Sequence, residues 1–483
     1  MIESFFDPRL FYAVKQTLIL ASVSTFFAGL IGLPFGIAAA FHPRSEQLRK
    51  ILSLPFGVPG LIAAFAWIAI LGKSGWLIQI FQRFGFEFDF LYSLKSVILA
   101  LVFFNIPFVA LLISLAISQI PQDQIDVARG LGAKPFRVLK DILWPSIRSA
   151  FAGSCAQVFC FCMTSFALVL ILGGGPQVQS LETSIYRSLR FGEPQWDLAI
   201  AASFWQIILS LIPFFIFYLN RNAFAPASFS APLRKIQKNS WNWILSLLTI
   251  LLIAPYLLFM IQSVPTFFRI ENFYEFIKNI SGPLWLSIKL GFCAALLTLC
   301  INCFLLWLAY KKPRLKPLLE LLAQAPSGIS ILVIGIGFWI LFSRWIDPFE
   351  GSFFAMVILQ SISFLPFSFR WLRWLEEKRS PLLFEAAQNL GASRTRAFFS
   401  ADWPRWKTPV AFVFAMIFGA SIGELAALSL FYSEKLMPFS VLISRLLSQY
   451  RFEEATAVSV LMLCLSLGSM AFIVTKFSRN PNL

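Results

Sequence analysis

Two short strings, far apart in the chain, carry the same unusual order of residue types. Residues 125–145 read IDVARGLGAKPFRVLKDILWP and residues 384–404 read FEAAQNLGASRTRAFFSADWP. At a constant offset of 259, Asp126 falls on Glu385, Ala128 on Ala387, Gly132 on Gly391 and Pro145 on Pro404. An acid in a first helical turn is favoured by the helix dipole. Small residues at Ala128, Ala386 and Ala387 let a helix lie close against a partner surface. Gly132 and Gly391 supply the permissive backbone that ends one helix and turns to the next. This is the chemistry of docking, not of bond making. An ordinary amphipathic loop that happens to be duplicated is the bland alternative, and the fixed register counts against it.

Bond-making groups are scarce. The single histidine, His42, ends an apolar block without a clustered partner, and the seven cysteines all lie inside apolar blocks. There Cys behaves as a small hydrophobe, so neither a disulfide framework nor a metal site is expected. A phosphate-binding loop needs G-x-x-x-x-G-K-[ST] after a soluble strand. The nearest string, Gly72-Lys73-Ser74, has Trp67 where the first Gly belongs. No catalytic residue and no cofactor of this chain's own is expected, and ATP is not hydrolysed here.

One ionisable group stands out. Glu424 sits within an apolar block, where carboxylates are costly and face a cavity or a partner. At the same offset its counterpart is Ser165, and Ser421 offers a hydroxyl nearby. These three are the candidate lining of a translocation pathway. Packing or gating is an equal alternative for Glu424, and close helix contact is the usual use of Ser in spanning helices.

Composition dictates the helices on which these residues sit. The chain has 483 residues, 58% hydrophobic and only 13% charged, against about a quarter charged in a soluble domain. Eleven apolar runs are long enough to cross a bilayer, at about 14–41, 49–72, 93–118, 148–172, 196–219, 241–262, 283–310, 318–342, 351–372, 407–431 and 452–475. In lipid such runs satisfy their backbone as helices. The expected fold is an all-α integral membrane protein of about 11 transmembrane helices in two repeated modules. Residues 1–220 form the first module with five spans, 221–282 a linker with one span, and 283–483 the second module. Met1-Ile-Glu-Ser-Phe-Phe-Asp lacks a basic stretch and a cleavage site, so the first apolar block is expected to stay in the mature protein.

The excess of 40 Lys and Arg over 24 Asp and Glu is a net +16. In a soluble protein that would point to nucleic acid. Here the basic residues gather in alternate loops, among them the segments around Lys134 to Lys140 and Arg370 to Lys407. That is the cytoplasmic signature of a multi-pass membrane protein, with lipid and not nucleic acid as its surroundings. It places both repeated strings inside, the N-terminus outside and the C-terminus inside.

The repeated strings resemble the cytoplasmic "EAA" loop of binding-protein-dependent ABC importer permeases. Glu385-Ala386-Ala387 with Gly391 and Pro404 matches that pattern closely, and Asp126-Val127-Ala128 with Gly132 and Pro145 departs at its second small residue. In that family the loop folds as two short helices, one of which docks on an ATPase subunit. The resemblance implies this role for residues 120–147 and 378–406. It also implies two ABC ATPase subunits that bind the ATP, a solute-binding protein on the outer face, alternating access, and a bacterial inner membrane. Fused two-module permeases serve thiamine and ferric-iron importers. Residues 165–189 and 419–431 look most like the permeases for thiamine or thiamine pyrophosphate, which usually carry one further N-terminal span. The alternatives are a ferric-iron permease or a secondary transporter with broken helices and ion-coupling groups.

Overall fold

The computed structural model describes residues 2–478 apart from 73–74, 86–89, 176, 221–241, 268–272, 346–351 and 378–380. Among the described residues all regular structure is helical. Seven helices are long and apolar enough to cross a membrane unaided: Pro8–Ala40, Leu94–Ser118, Trp196–Leu219, Trp243–Ser263, Phe273–Lys311, Phe353–Arg373 and Phe452–Ser469. Each coincides with one of the expected spans.

The other four expected spans are helices with a break. In the run 49–72, an amphipathic helix Ser45–Ser53 and a turn Leu54–Gly57 precede Gly60–Leu71. In 318–342, Lys316–Gln324 and a turn Ala325–Ser327 precede Ile331–Phe342. Pro55, Pro59 and Pro326 fall at these breaks, where a residue without an N–H cannot continue the ladder. The runs 148–172 and 407–431 divide into Trp144–Met163 with Ala167–Leu172, and Trp403–Ile422 with Ala426–Phe431. The second and fourth spans of each half are therefore interrupted, and the third and fifth are continuous.

Helix boundaries show how far the duplication reaches. From the third span onward Leu94–Ser118 and Phe353–Glu377 match at 259, as do both halves of the fourth span. Before it, Ser45–Ser53 with Lys316–Gln324 and Gly60–Leu71 with Ile331–Phe342 match at 271. The first half thus carries twelve more residues between its second and third spans (271 against 259), and the extra helix Trp76–Arg83 lies there.

Polar ties between apolar helices fix the packing. In the second half Thr298 Oγ1 donates to the Ser361 carbonyl at 3.4 Å, Ser361 Oγ to the Ala294 carbonyl at 3.3 Å, and Asn302 Nδ2 to Ser368 Oγ at 2.6 Å. Below them Leu306, Ala323, Phe369 and Leu372 close a core with Trp406 and Val410. The outer end of each first span is pinned to the segment after the fourth. Gln16 Oε1 and Thr17 Oγ1 accept from the Gln179 and Leu181 N–H groups at 2.7 and 2.9 Å, and Ser287 Oγ accepts from Phe439 N–H at 2.8 Å. At the N-terminus Asp7 caps Pro8–Ala40, and the neighbouring Arg9 holds its carboxyl below the usual carboxylate range.

Compactness divides the chain otherwise than repetition does. Met1–Ile270 with Ser327–Ile346 form one unit, and Glu271–Pro326 with Asp347–Leu483 form the other. The helix Ile331–Phe342 belongs to the first unit, against Leu181–Arg190 and Trp196–Leu219.

Candidate docking loops and broken fourth spans

Each repeated string folds as two short helices joined at its glycine. The first pair is Gln122–Gly130 and Pro135–Val138, and the second is Pro381–Asn389 and Arg394–Ala397. Gly132 has φ 82° and Gly391 φ 85°, the left-handed region that a side chain disfavours. Gly132 N–H donates to the Arg129 carbonyl at 2.9 Å and Ala133 N–H to Ala128 at 3.0 Å. In the other loop Gly391 donates to Gln388 at 2.9 Å and Ala392 to Ala387 at 3.0 Å. Both helices thus close with the same pair of reversed bonds, which satisfies carbonyls that a helix end leaves open.

The entries to the fourth spans are matched as well. A single π-helical turn, Leu139–Leu143 in one loop and Phe398–Asp402 in the other, leads into each. Pro145 and Pro404 directly follow these π-helical turns in a continuous helical run, where a residue without an N–H interrupts the regular ladder. Asp126 is exposed and accepts from Gln122 Nε2 at 3.2 Å, and Glu385 is exposed in Pro381–Asn389. Ala128 and Ala387 are half-buried and Ala386 is exposed.

Type and spacing do not single out the apolar residues of these loops, yet they are the loops' most telling feature. Leu131 is 84% exposed and its counterpart Leu390 89%. Val127 and Phe136 in the first loop, and Leu382 and Phe399 in the second, are exposed too. On segments rich in charge, a leucine held out at the same place in both loops, with further exposed apolar side chains beside it, marks a surface built to be covered. The repeat contains that signal, since Leu131 aligns with Leu390.

The pathway candidates fall at the fourth-span breaks. Ser165 lies between Trp144–Met163 and Ala167–Leu172, and Glu424 between Trp403–Ile422 and Ala426–Phe431. Both are half-buried, and their N–H groups donate to Cys162 and Ser421 carbonyls at 3.4 and 3.3 Å. Glu424 Oε1 accepts from the Ala426 and Ala427 N–H groups at 3.0 and 3.4 Å, so this carboxylate caps the short helix beyond the break. Ser440 Oγ donates to the Glu424 carbonyl at 2.6 Å. Ser421 is buried, and its hydroxyl donates to Gln360 Oε1 at 2.7 Å as Gln360 Nε2 returns a bond to the Ser421 carbonyl at 3.0 Å.

Several polar residues gather beside these breaks without a motif to announce them. In the first half Asn105 Nδ2 approaches Cys162 Sγ at 3.6 Å, at the place of Ser421. Gln206 Nε2 donates to the Met163 carbonyl at 3.2 Å and to Glu182 Oε1 at 3.1 Å, and Glu182 is wholly buried. On the basic side Arg373 pairs with the buried Glu320 at 2.9 Å. The matching positions hold Arg49, which is buried and bonds the Ser45 carbonyl at 3.3 Å, and Ser114. Glu320, Gln206 and Gln360 are polar groups within apolar runs, the same signal that marks Glu424. Among the described residues no three His, Cys, Asp or Glu converge as metal ligands.

Comparison with known proteins covers both halves. The sequence profile of the "Binding-protein-dependent transport system inner membrane component" matches residues 32–226 and again 302–479. The thiamine transport system permease protein ThiP of Brucella abortus is 28% identical over 483 residues, 96% of this chain and 88% of the relative. ThiP of Haemophilus influenzae is 27% identical over 98% of this chain and 89% of the relative, and ThiP of Escherichia coli 25% over 87% and 81%. Broken spans, a mark of ion-coupled carriers, therefore occur here in a permease. With both matched regions taking in a repeated loop and the broken span beyond it, this chain belongs to the binding-protein-dependent transport system inner membrane components, the permeases of ABC importers.

Proposed function

We propose that this permease carries thiamine or thiamine pyrophosphate across the inner membrane, driven by two ABC ATPase subunits and fed by a solute-binding protein. The observation behind the coupling half of this reading is the matched pair of loops. Each presents one exposed leucine beside a left-handed glycine turn, a rigid apolar knob suited to a groove on an ATPase. ATP binds and is hydrolysed in those subunits, and this chain carries no cofactor. Their closure draws the two loops together and opens the pathway outward, and hydrolysis resets it.

Support for the cargo comes from similarity along nearly the whole chain to permeases named for thiamine. Glu424 adds a chemical argument. Its Oε1 holds the two backbone N–H groups, which leaves Oε2 for a cation such as the thiazolium ring. Ser165 and Ser421 complete the proposed lining at the two breaks.

The test is uptake of radiolabelled thiamine by cells carrying this chain with its ATPase and binding protein, against cells lacking only this chain. Uptake that depends on the chain is expected, and Glu424→Gln should slow it. Ferric-iron uptake restored in place of thiamine would overturn the vitamin assignment and leave the permease intact.

A further inference from the structure

At one end of Trp196–Leu219 the indole of Trp196 lies flat against that of Trp339, near the end of Ile331–Phe342. Their ring centroids are 3.6 Å apart and their planes 6° from parallel. The alternation of basic loops puts this end of both helices on the outer side. Both residues belong to the same compact unit.

The stacked pair is electrostatically poor. Aromatic rings present electron-rich faces and gain more from offset or edge-on contact than from a face-to-face sandwich. The Trp339 indole N–H is in addition buried with no hydrogen-bond partner among the described residues, whereas a buried indole N–H ordinarily finds an acceptor. Nor does the repeat demand the pair. Ile68 stands at the place matching Trp339, and the helix matching Trp196–Leu219 begins with Phe452. Ile331–Phe342 begins beyond the break at Ala325–Ser327, so the helix bearing Trp339 does not continue the ladder of the helix before it.

Both deficits vanish if one kind of guest enters. We infer that Trp196 and Trp339 form an outer aromatic clamp that parts to admit a flat, cationic heteroaromatic ring bearing a hydrogen-bond acceptor. The cation then faces two indoles, the best side chain for that contact, and an acceptor on a substituent that reaches past the ring edge takes the in-plane Trp339 N–H. A hydrated metal ion has neither a flat face nor a reason to separate two stacked rings. This inference rests on the vitamin reading above.

The test uses the complete transporter in proteoliposomes with thiamine as the probe. Trp196→Leu and Trp339→Leu keep bulk and remove the ring. Each is expected to lower thiamine uptake about tenfold, as loss of a desolvated cation–π contact would, with stimulated ATP hydrolysis retained. Trp339→Phe should recover part of the loss. In detergent, thiamine should quench indole fluorescence of the permease where tetramethylammonium does not, and Trp196→Phe with Trp339→Phe should remove that quenching. Wild-type transport with undiminished uptake in both Leu variants overturns the clamp alone, as does quenching that survives in the Phe variants, which also decide the matter if the Leu variants fail to insert. A wild-type transporter that moves no thiamine overturns the vitamin reading and the clamp with it.

Discussion

The two halves of the chain agree in backbone and in an exposed leucine at their loops, but in backbone alone at their fourth-span breaks. The loops share a left-handed glycine, two reversed hydrogen bonds of the same lengths to within a tenth of an ångström, a π-helical turn and an exposed leucine, on largely different residues. At the breaks the backbone is again matched, but the side chains are not. One half offers Asn105, Cys162 and Ser165 and the other Gln360, Ser421 and Glu424. Under the proposed function the matched loops meet two equivalent ATPase surfaces, whereas the unmatched side chains at the breaks serve unequal roles.

The largest effects are expected where the halves agree. Proline fixes φ near −65°, so Gly391→Pro and Gly132→Pro break the turns outright. Both should abolish ATP-driven uptake with the protein still inserted, and Glu385→Lys should uncouple hydrolysis from transport. Leu390→Asp and Leu131→Asp leave the turns intact and remove only the exposed apolar contact, which should cost about tenfold or more in uptake. Uptake assays beside ATPase assays separate the two kinds of failure. A loop that tolerates these changes while its twin does not would break the equivalence.

Legibility in the sequence depends on the type of signal. Apolar run length locates helices in all eleven expected runs, seven of them long enough to span unaided, and the Gly–Pro spacing marks where each loop turns, because both are properties of a few residues read in order. The breaks are not legible in this way. Pro55, Pro59 and Pro326 stand inside apolar runs, yet a proline is tolerated within many spanning helices, as Pro107 and Pro213 are here. The fourth-span breaks carry no proline at all, and fall at Thr164 and Gly423, which end the first half of each span. Glu182 is hidden for another reason. It lies beyond an apolar run in a segment that reads as an outer loop, and only the fold brings Gln206 to it.

A second contrast lies at the basic end of the second and third spans. The buried Glu320 pairs with the half-buried Arg373 in the second half, where Arg49 and Ser114 occupy the matching places in the first. Removing one partner of a buried pair strands the other charge, at about 3–5 kcal/mol. Arg373→Met should therefore lower the unfolding temperature of the detergent-solubilised permease strongly. Arg49 stands at the place of Glu320 and the uncharged Ser114 at the place of Arg373, and Arg49 Nη1 is buried without a hydrogen-bond partner among the described residues. Arg49→Met should leave that temperature unchanged or raise it. Equal losses in the two variants would mean that Arg49 is held by a partner as strong as Glu320.

The smallest expected effect separates the two amides at the breaks. Gln360 exchanges two bonds with Ser421, at 2.7 and 3.0 Å, and truncating it leaves a buried hydroxyl and a helix-end carbonyl unpaired. Gln360→Leu should cost about 1–2 kcal/mol of stability, toward the upper end of polar contacts within membrane bundles. Asn105 makes one long contact to a thiol at 3.6 Å, and its firmer bond, 2.8 Å to the Leu101 carbonyl, lies within its own helix. Asn105→Leu should cost about 0.5 kcal/mol. Gln360 also sets the end of the helix from which Glu424 departs, so its loss should slow uptake by more than its stability cost explains, and the Asn105 variant should not. Should both variants slow uptake alike, the pathway would draw equally on the two breaks, and the acid on one side alone would no longer be its distinguishing feature.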